Sequence, residues 1–199
     1  MAFFDKIKWI LGILIVFVLI IATNLIDRNN FITVRDSVVT IYEDRLIAKN
    51  LIFEISKAVQ EKEIAIVSSD SVFYSQENST INDNIQNFIN RFEMTKLTKA
   101  ESNVFKDLKE NLHILTDLEN TFVNSKFQEK NKLLNHLSRV KENLYDLSEI
   151  QLLEGRNQVS ISKRAVDTVE LFTQIEIYVL VFLAIIIQII IMYKPKEKV

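Results

Sequence analysis

Residues 9–22 read WILGILIVFVLIIA, without a charged side chain, and the apolar character continues through Thr23 and Asn24 to Ile26. Residues 177–193 read IYVLVFLAIIIQIIIMY, interrupted only by Gln188. A helix needs about 20 apolar residues to cross the hydrocarbon core of a bilayer, so both stretches predict membrane spans. Trp9, Tyr178 and Tyr193 sit at their edges, where amphipathic rings favour the headgroup level. Lys6 and Lys8 precede the first stretch, and Lys194, Lys196 and Lys198 follow the second. The flanks facing the middle of the chain carry Asp27 and Arg28 on one side, Glu170 and Glu176 on the other. The excess of lysine at both ends predicts two cytoplasmic termini. A cleaved signal peptide fits less well, because the apolar run is long and Ala22-Thr23-Asn24 lacks a small-x-small cleavage pattern. A buried core helix does not fit the second stretch, which is apolar around its whole circumference.

Between the spans the chain is punctuated very little. Neither glycine nor proline occurs from Ile13 to Glu154. Sheets and α/β folds need tight turns, which draw on those two residues, so the expected class is all-α. No cysteine is present, which excludes disulfides, zinc–thiolate centres, iron–sulfur clusters and thiol catalysis. The net charge of -2 gives no basic footprint for nucleic acid.

Apolar residues recur at spacings of three and four, the rhythm of bundled helices. Val34, Val38, Ile41, Ala48, Ile52, Ile55, Val59 and Ile66 form one stripe, with Arg45 in a charged slot. Ile81, Ile85, Phe88 and Phe92 form the next. Leu97-Thr98 with Glu101 reads as a capping box, and Val104, Leu108, Leu115, Leu118 and Phe122 follow it. Asn124-Ser125 with Gln128 is a second capping candidate, before Leu133, Leu137, Val140, Leu144 and Leu147. This stripe turns polar at Gln151, Glu154 and Gln158 and resumes at Ile161, Ala165, Val169 and Phe172. Four helices are expected, over about 26–72, 79–94, 98–124 and 126–193. Short connections make neighbours antiparallel. The expected organisation is an N-terminal segment 1–8, a span 9–26, an extracytoplasmic antiparallel four-helix bundle 27–175, a second span 176–193 and a tail 194–199.

This layout resembles the periplasmic four-helix-bundle sensor domain of methyl-accepting chemotaxis proteins. The residues that carry the resemblance are Ile41-Tyr42-Glu43-Asp44-Arg45-Leu46 after the first anchor, Leu97-Thr98 with Glu101 opening the third helix, and a long fourth helix that re-enters the membrane. The resemblance implies a bacterial inner-membrane location, with both termini cytoplasmic and the bundle periplasmic or extracellular. It also implies sensing of small molecules and transmission by a dimer. Such receptors continue into a linker and a long cytoplasmic coiled coil, whereas here Lys194-Pro195-Lys196-Glu197-Lys198-Val199 follows the second span. The expectation is therefore a sensor that acts through a partner protein. The alternative is a structural or accessory subunit of an envelope complex.

Candidate sites follow from height and polarity. At 1.5 Å per residue the first and fourth helices rise roughly 65–75 Å from the membrane, and the inner pair only about 25–40 Å. Two helices alone cover each other poorly, so Val34, Val38, Val169 and Phe172 are expected at an interface with a second copy or a membrane-protein partner. Counting equal rise from the spans brings Arg45 level with residues 154–158, which predicts a polar layer of Arg45 with Glu154 or Gln158. Such a layer sets helix register or receives an anionic ligand. Gln188 is expected to contact another helix within the membrane. Glu110-x-x-His113 has the spacing of a di-iron ligand pair, but the other histidine, His136, has Leu133 three residues before it. No metal, no cofactor and no catalytic residue is expected.

Overall fold

The computed structural model describes residues 3–192. Tyr193 and the tail 194–199 lie outside them, as do the side chains of Lys6, Lys8 and Trp9. Within this range the chain is all-α, with no strand among the described residues. Helix α1 runs Phe3–Thr40 and passes through a wider, π-helical segment at Ile41–Leu46 into α2, Ile47–Ser68. A short α3 (Ser71–Gln76), α4 (Asn78–Glu93), α5 (Lys99–Asn124) and the long α6 (Lys130–Met192) complete the chain.

The chain divides into two compact units, one of Met1–Val38 with Val159–Val199 and one of Val39–Gln158. In the first, α1 and α6 each contain a stretch long and apolar enough to cross a membrane. These stretches are not covered by protein: Leu14, Phe17, Val18 and Leu25 on α1, and Tyr178, Val181, Phe182 and Ile185 on α6, are exposed. A core helix of that composition would bury them at about 25 cal/mol per Å².

The second unit has one hydrophobic core. It takes Leu51, Ile55, Val59 and Ile66 from α2, Ile85, Ile89 and Phe92 from α4, Leu108, Leu115 and Phe122 from α5, and Leu133, Leu137, Val140, Leu144 and Leu147 from α6. The steps of three and four keep each set on one helix face. Leu51, Ile89 and Phe105, which the minimal stripes leave out, are also buried and widen those faces. The apolar stripe of α2 begins later than its sequence suggests, because Val38 is exposed and lies in the other unit.

The turns are made without glycine. Ser69, Lys126 and Phe127 take the left-handed backbone region at φ 54°, 54° and 68°. Ser69 ends α2 there, with its N–H on the carbonyls of Ala65 and Ile66, the usual geometry of a left-handed C-cap. Asp70 then caps α3, accepting from the N–H groups of Val72 and Phe73. Phe127 tolerates its backbone because its ring packs against Phe122 and Tyr74, with centroids 5.1 and 6.0 Å away. The second capping candidate forms only in part. The Ser125 hydroxyl accepts from the Gln128 N–H at 3.3 Å, but α6 starts at Lys130, beyond this turn.

Candidate functional site

Two buried charged layers cross the core of the second unit. The first is built by the start of α5. The Thr98 side chain accepts from the Glu101 N–H, and the Glu101 carboxylate accepts from the Thr98 N–H, which closes the capping box. This reciprocal pair fixes the Glu101 side chain at the positive end of the helix, where a carboxylate is stabilised. Its other oxygen, Oε1, accepts from Arg45 Nη1 at 2.6 Å and from Gln151 Nε2. Arg45 Nη1 also donates to Gln151 Oε1 at 3.3 Å, and Nη2 to the Lys96 carbonyl at 3.4 Å. Arg45, Glu101 and Gln151 are all buried.

Arg45 therefore lies in a buried polar layer, but its partners are Glu101 and Gln151. Glu154 and Gln158 are half-buried and receive no hydrogen bond from it among the described residues. Equal rise from the membrane relates only the first and last helices, whereas the α5 N-terminus also reaches this level. The capping box fixes Glu101 at the height of Arg45, where it takes the strongest donor. The first polar residue of the α6 stripe, Gln151, then fills the remaining position.

The second layer joins α2, α4 and α5. Lys62 Nζ donates to Glu119 Oε1 and Oε2, both at 2.8 Å, and to Asn78 Oδ1 at 2.5 Å. The side chains of Lys62 and Glu119 are each 1% exposed. Three donors on the ammonium meet three acceptors, so the buried charge is paired and hydrogen-bonded, as burial requires. Desolvation pushes the Lys62 ammonium below the ordinary lysine range, and the Glu119 carboxylate opposes this. Tyr74 lies near the same carboxylate, and burial together with that negative charge raises its phenol well above the ordinary tyrosine value. Its hydroxyl is buried, with no hydrogen-bond partner among the described residues.

A raised phenol pKa gives stability that is fully present below the unfolded value, about pH 10, and lost as pH rises towards the folded value. Tyr74→Phe removes that loss and also the desolvated hydroxyl, at a gain of about 1 kcal/mol. Urea melts from pH 8 to 11 should show the variant about 1 kcal/mol above wild type at pH 8, with the gap widening above pH 10. A gap that narrows there contradicts this assignment.

On α2 and the turn before it the layers supply cations, Arg45 and Lys62, and on α5 anions, Glu101 and Glu119. Along either helix the spacing is roughly 26 Å. Sliding α2 against α5 by one turn would leave both carboxylates unpaired in the core, so the two pairs together fix register.

Two clefts flank the layers. One of about 520 Å³ lies between α2 and α6, lined by Lys49, Phe53, Gln60, Glu63, Lys141 and Tyr145 among others. Lys141 pairs with Glu63 across it at 2.9 Å. The other, about 390 Å³, lies between α4 and α5 and includes Lys62, Asn82, Gln86, Lys109 and His113. His113 is exposed, 3.8 Å from Asp117, and His136 is buried with Nε2 2.9 Å from the Asn111 carbonyl. Among the described residues no group of three or more His, Cys, Asp or Glu could hold a metal ion. In the other unit, Val34, Val169 and Phe172 are half-buried, while Val38 and Gln188 are exposed.

A family model described as a four-helix-bundle sensory module for signal transduction matches residues 4–151. No curated protein and no solved structure gives a significant match.

Proposed function

The chain belongs to the family of four-helix-bundle sensory modules for signal transduction, and on that premise we propose that it is a non-catalytic, membrane-anchored sensor. Its residues 39–158 form an antiparallel four-helix bundle outside the cytoplasm and detect a small molecule or a partner there. Residues 9–26 and 176–193 cross the bacterial inner membrane, with both termini cytoplasmic. The observation that carries this reading is the continuity of α6. One uninterrupted helix, Lys130–Met192, bears the core residues Leu133–Leu147 and the apolar stretch from Ile177 onward. A displacement of such a helix in the bundle is carried along its hydrogen-bonded ladder into the membrane, where it reaches a partner protein.

Melting the full chain in lipid nanodiscs against a panel of amino acids, dicarboxylates and sugars tests the sensor reading. Binding to the folded state alone raises stability by about 2.7 kcal/mol at a hundredfold excess over Kd, so one chemical class should give a saturable rise in Tm. If no class does, the sensor reading fails. An accessory role in an envelope complex then stands, supported by the exposed Ile64, Val67 and Val72 around the end of α2.

Val34, Val38, Val169 and Phe172 are the proposed contact between copies, with Gln188 contributing within the membrane. Val38 carries most of this proposal, being 55% exposed. Val38→Cys should give covalent dimers on oxidation in native membranes. A protein that stays monomeric there contradicts the interface.

A further inference from the structure

Among the described residues, Ile41–Leu46 is the one stretch where the α-helical ladder gives way to a wider turn. Such turns are rare, occur mostly as single-turn insertions within α-helices, and are frequent at functional sites. The flanking residues are ordinary right-handed helix: Thr40 has φ -59° and ψ -41°, and Ile47 has φ -65° and ψ -47°. The irregularity is therefore confined to six residues. Two of them, consecutive in sequence, hold one residue of the α4–α5 connection. Asp44 Oδ1 accepts from the Lys96 N–H at 3.1 Å, and Arg45 Nη2 donates to the Lys96 carbonyl at 3.4 Å. Neighbours on an α-helix point about 100° apart. A turn that holds more residues per revolution brings them closer in direction, which lets both reach Lys96. Arg45 extends this grip to Glu101 and Gln151, while its Nε, also buried, has no partner among the described residues. The guanidinium is thus held through its two terminal nitrogens, from within the wide turn.

We propose that residues 41–46 are a two-state joint. The turn is wide while Asp44 and Arg45 grip Lys96, Glu101 and Gln151, and becomes ordinary α-helix when that grip is released. Closing the wide turn restores the full helical advance of about one residue. The chain before residue 41 then turns by roughly 100° about the helix axis and shifts by about 1.5 Å. Because the joint stands on backbone form and side-chain contacts, it holds whether or not the protein senses a small molecule.

The test uses the full chain in nanodiscs. It has no native cysteine, so single cysteines at positions 37–40 report their own reactivity with a thiol reagent. In wild type, position 37 should react slowly and position 39 fast, because Ser37 is buried and Val39 is exposed and lies outside the proposed contact between copies. Asp44→Ala/Arg45→Met/Glu101→Leu removes the grip without stranding a buried charge. In that background the pattern should move by one position, with the cysteine at 37 reacting at least about tenfold faster, as expected for a helix turned by one residue's angle. Deleting Glu43, an exposed residue of the joint, removes the extra residue and leaves the flanks in their present register. The deletion should therefore fold with nearly unchanged Tm and keep the wild-type pattern in both backgrounds. Deleting Ser56 from the middle of α2 should by contrast unfold the core. An unchanged pattern in the grip-free variant overturns the joint. So does a shift that persists after the Glu43 deletion, or a Glu43 deletion as damaging as that of Ser56.

Discussion

Lys62→Ala should destabilise the protein by about 3–5 kcal/mol, because it leaves the Glu119 carboxylate charged and unpaired inside the core. The ammonium now gives that carboxylate two hydrogen bonds at 2.8 Å, with both side chains 1% exposed. Lys62→Met combined with Glu119→Leu removes both charges and keeps comparable volume. It should return to wild-type stability or exceed it, since apolar replacement of a buried pair is often neutral or stabilising. Asn78 sits at the beginning of α4 and is only half-buried, so it can turn to water when its donor is gone. Urea unfolding of the two single variants and the double variant gives the coupling directly. Two single losses that simply add in the double would mean that Lys62 and Glu119 do not act as a pair.

Arg45→Ala should have a comparable effect at the other end of the core, again about 3–5 kcal/mol, by stranding Glu101. The companion double variant should differ from the Lys62 case. Glu101 also accepts from the Thr98 N–H as part of the capping box, so Arg45→Met/Glu101→Leu should stay about 1 kcal/mol below wild type, the usual worth of a cap. Arg45→Lys keeps the charge but not the fork that reaches Glu101, Gln151 and Lys96 together, and should recover only part of the loss. Glu154→Ala should change stability by no more than about 0.5 kcal/mol, as expected for a side chain outside the layer. An Arg45→Ala loss no larger than the Glu154→Ala effect would rule out the Arg45–Glu101 pair.

Residue types and spacings carried most of the helical pattern. The lack of glycine and proline from Ile13 to Glu154 announced helices, and the stripes through Val59, Phe92, Phe122, Leu137 and Leu144 are buried where their spacing puts them. The capping box at Thr98 set the start of α5 to the residue. Less of the site was legible, for identifiable reasons. Lys62 occupies the step between Val59 and Ile66 and breaks that apolar stripe as visibly as Arg45 does, whereas Glu119 lies beside the stripe of Leu115, Leu118 and Phe122 without interrupting it. Either charge by itself reads as a solvated side chain, and only tertiary structure reveals that these two meet. Glu101 was visible as a cap but not as an ion-pair partner, because a capping glutamate usually faces water and its free oxygen finds Arg45 only after four helices assemble. The wide turn at Ile41–Leu46 has no local signature at all, since its residues would also suit an ordinary α-helix. The short α3 was hidden between polar runs, where Phe73 is buried in the core and Tyr74 packs against it.

The central claim is that residues 39–158 lie outside the cytoplasm on two membrane anchors, and labelling in intact cells measures this most directly. The chain has no cysteine to remove. Cysteines placed singly at the exposed positions Lys106 and Glu142, and at Lys198 as a reference, would be treated with a membrane-impermeant maleimide. Full labelling is expected at 106 and 142 without permeabilisation, and labelling at 198 only after it. Protection of 106 and 142 until the membrane is opened would contradict the claim.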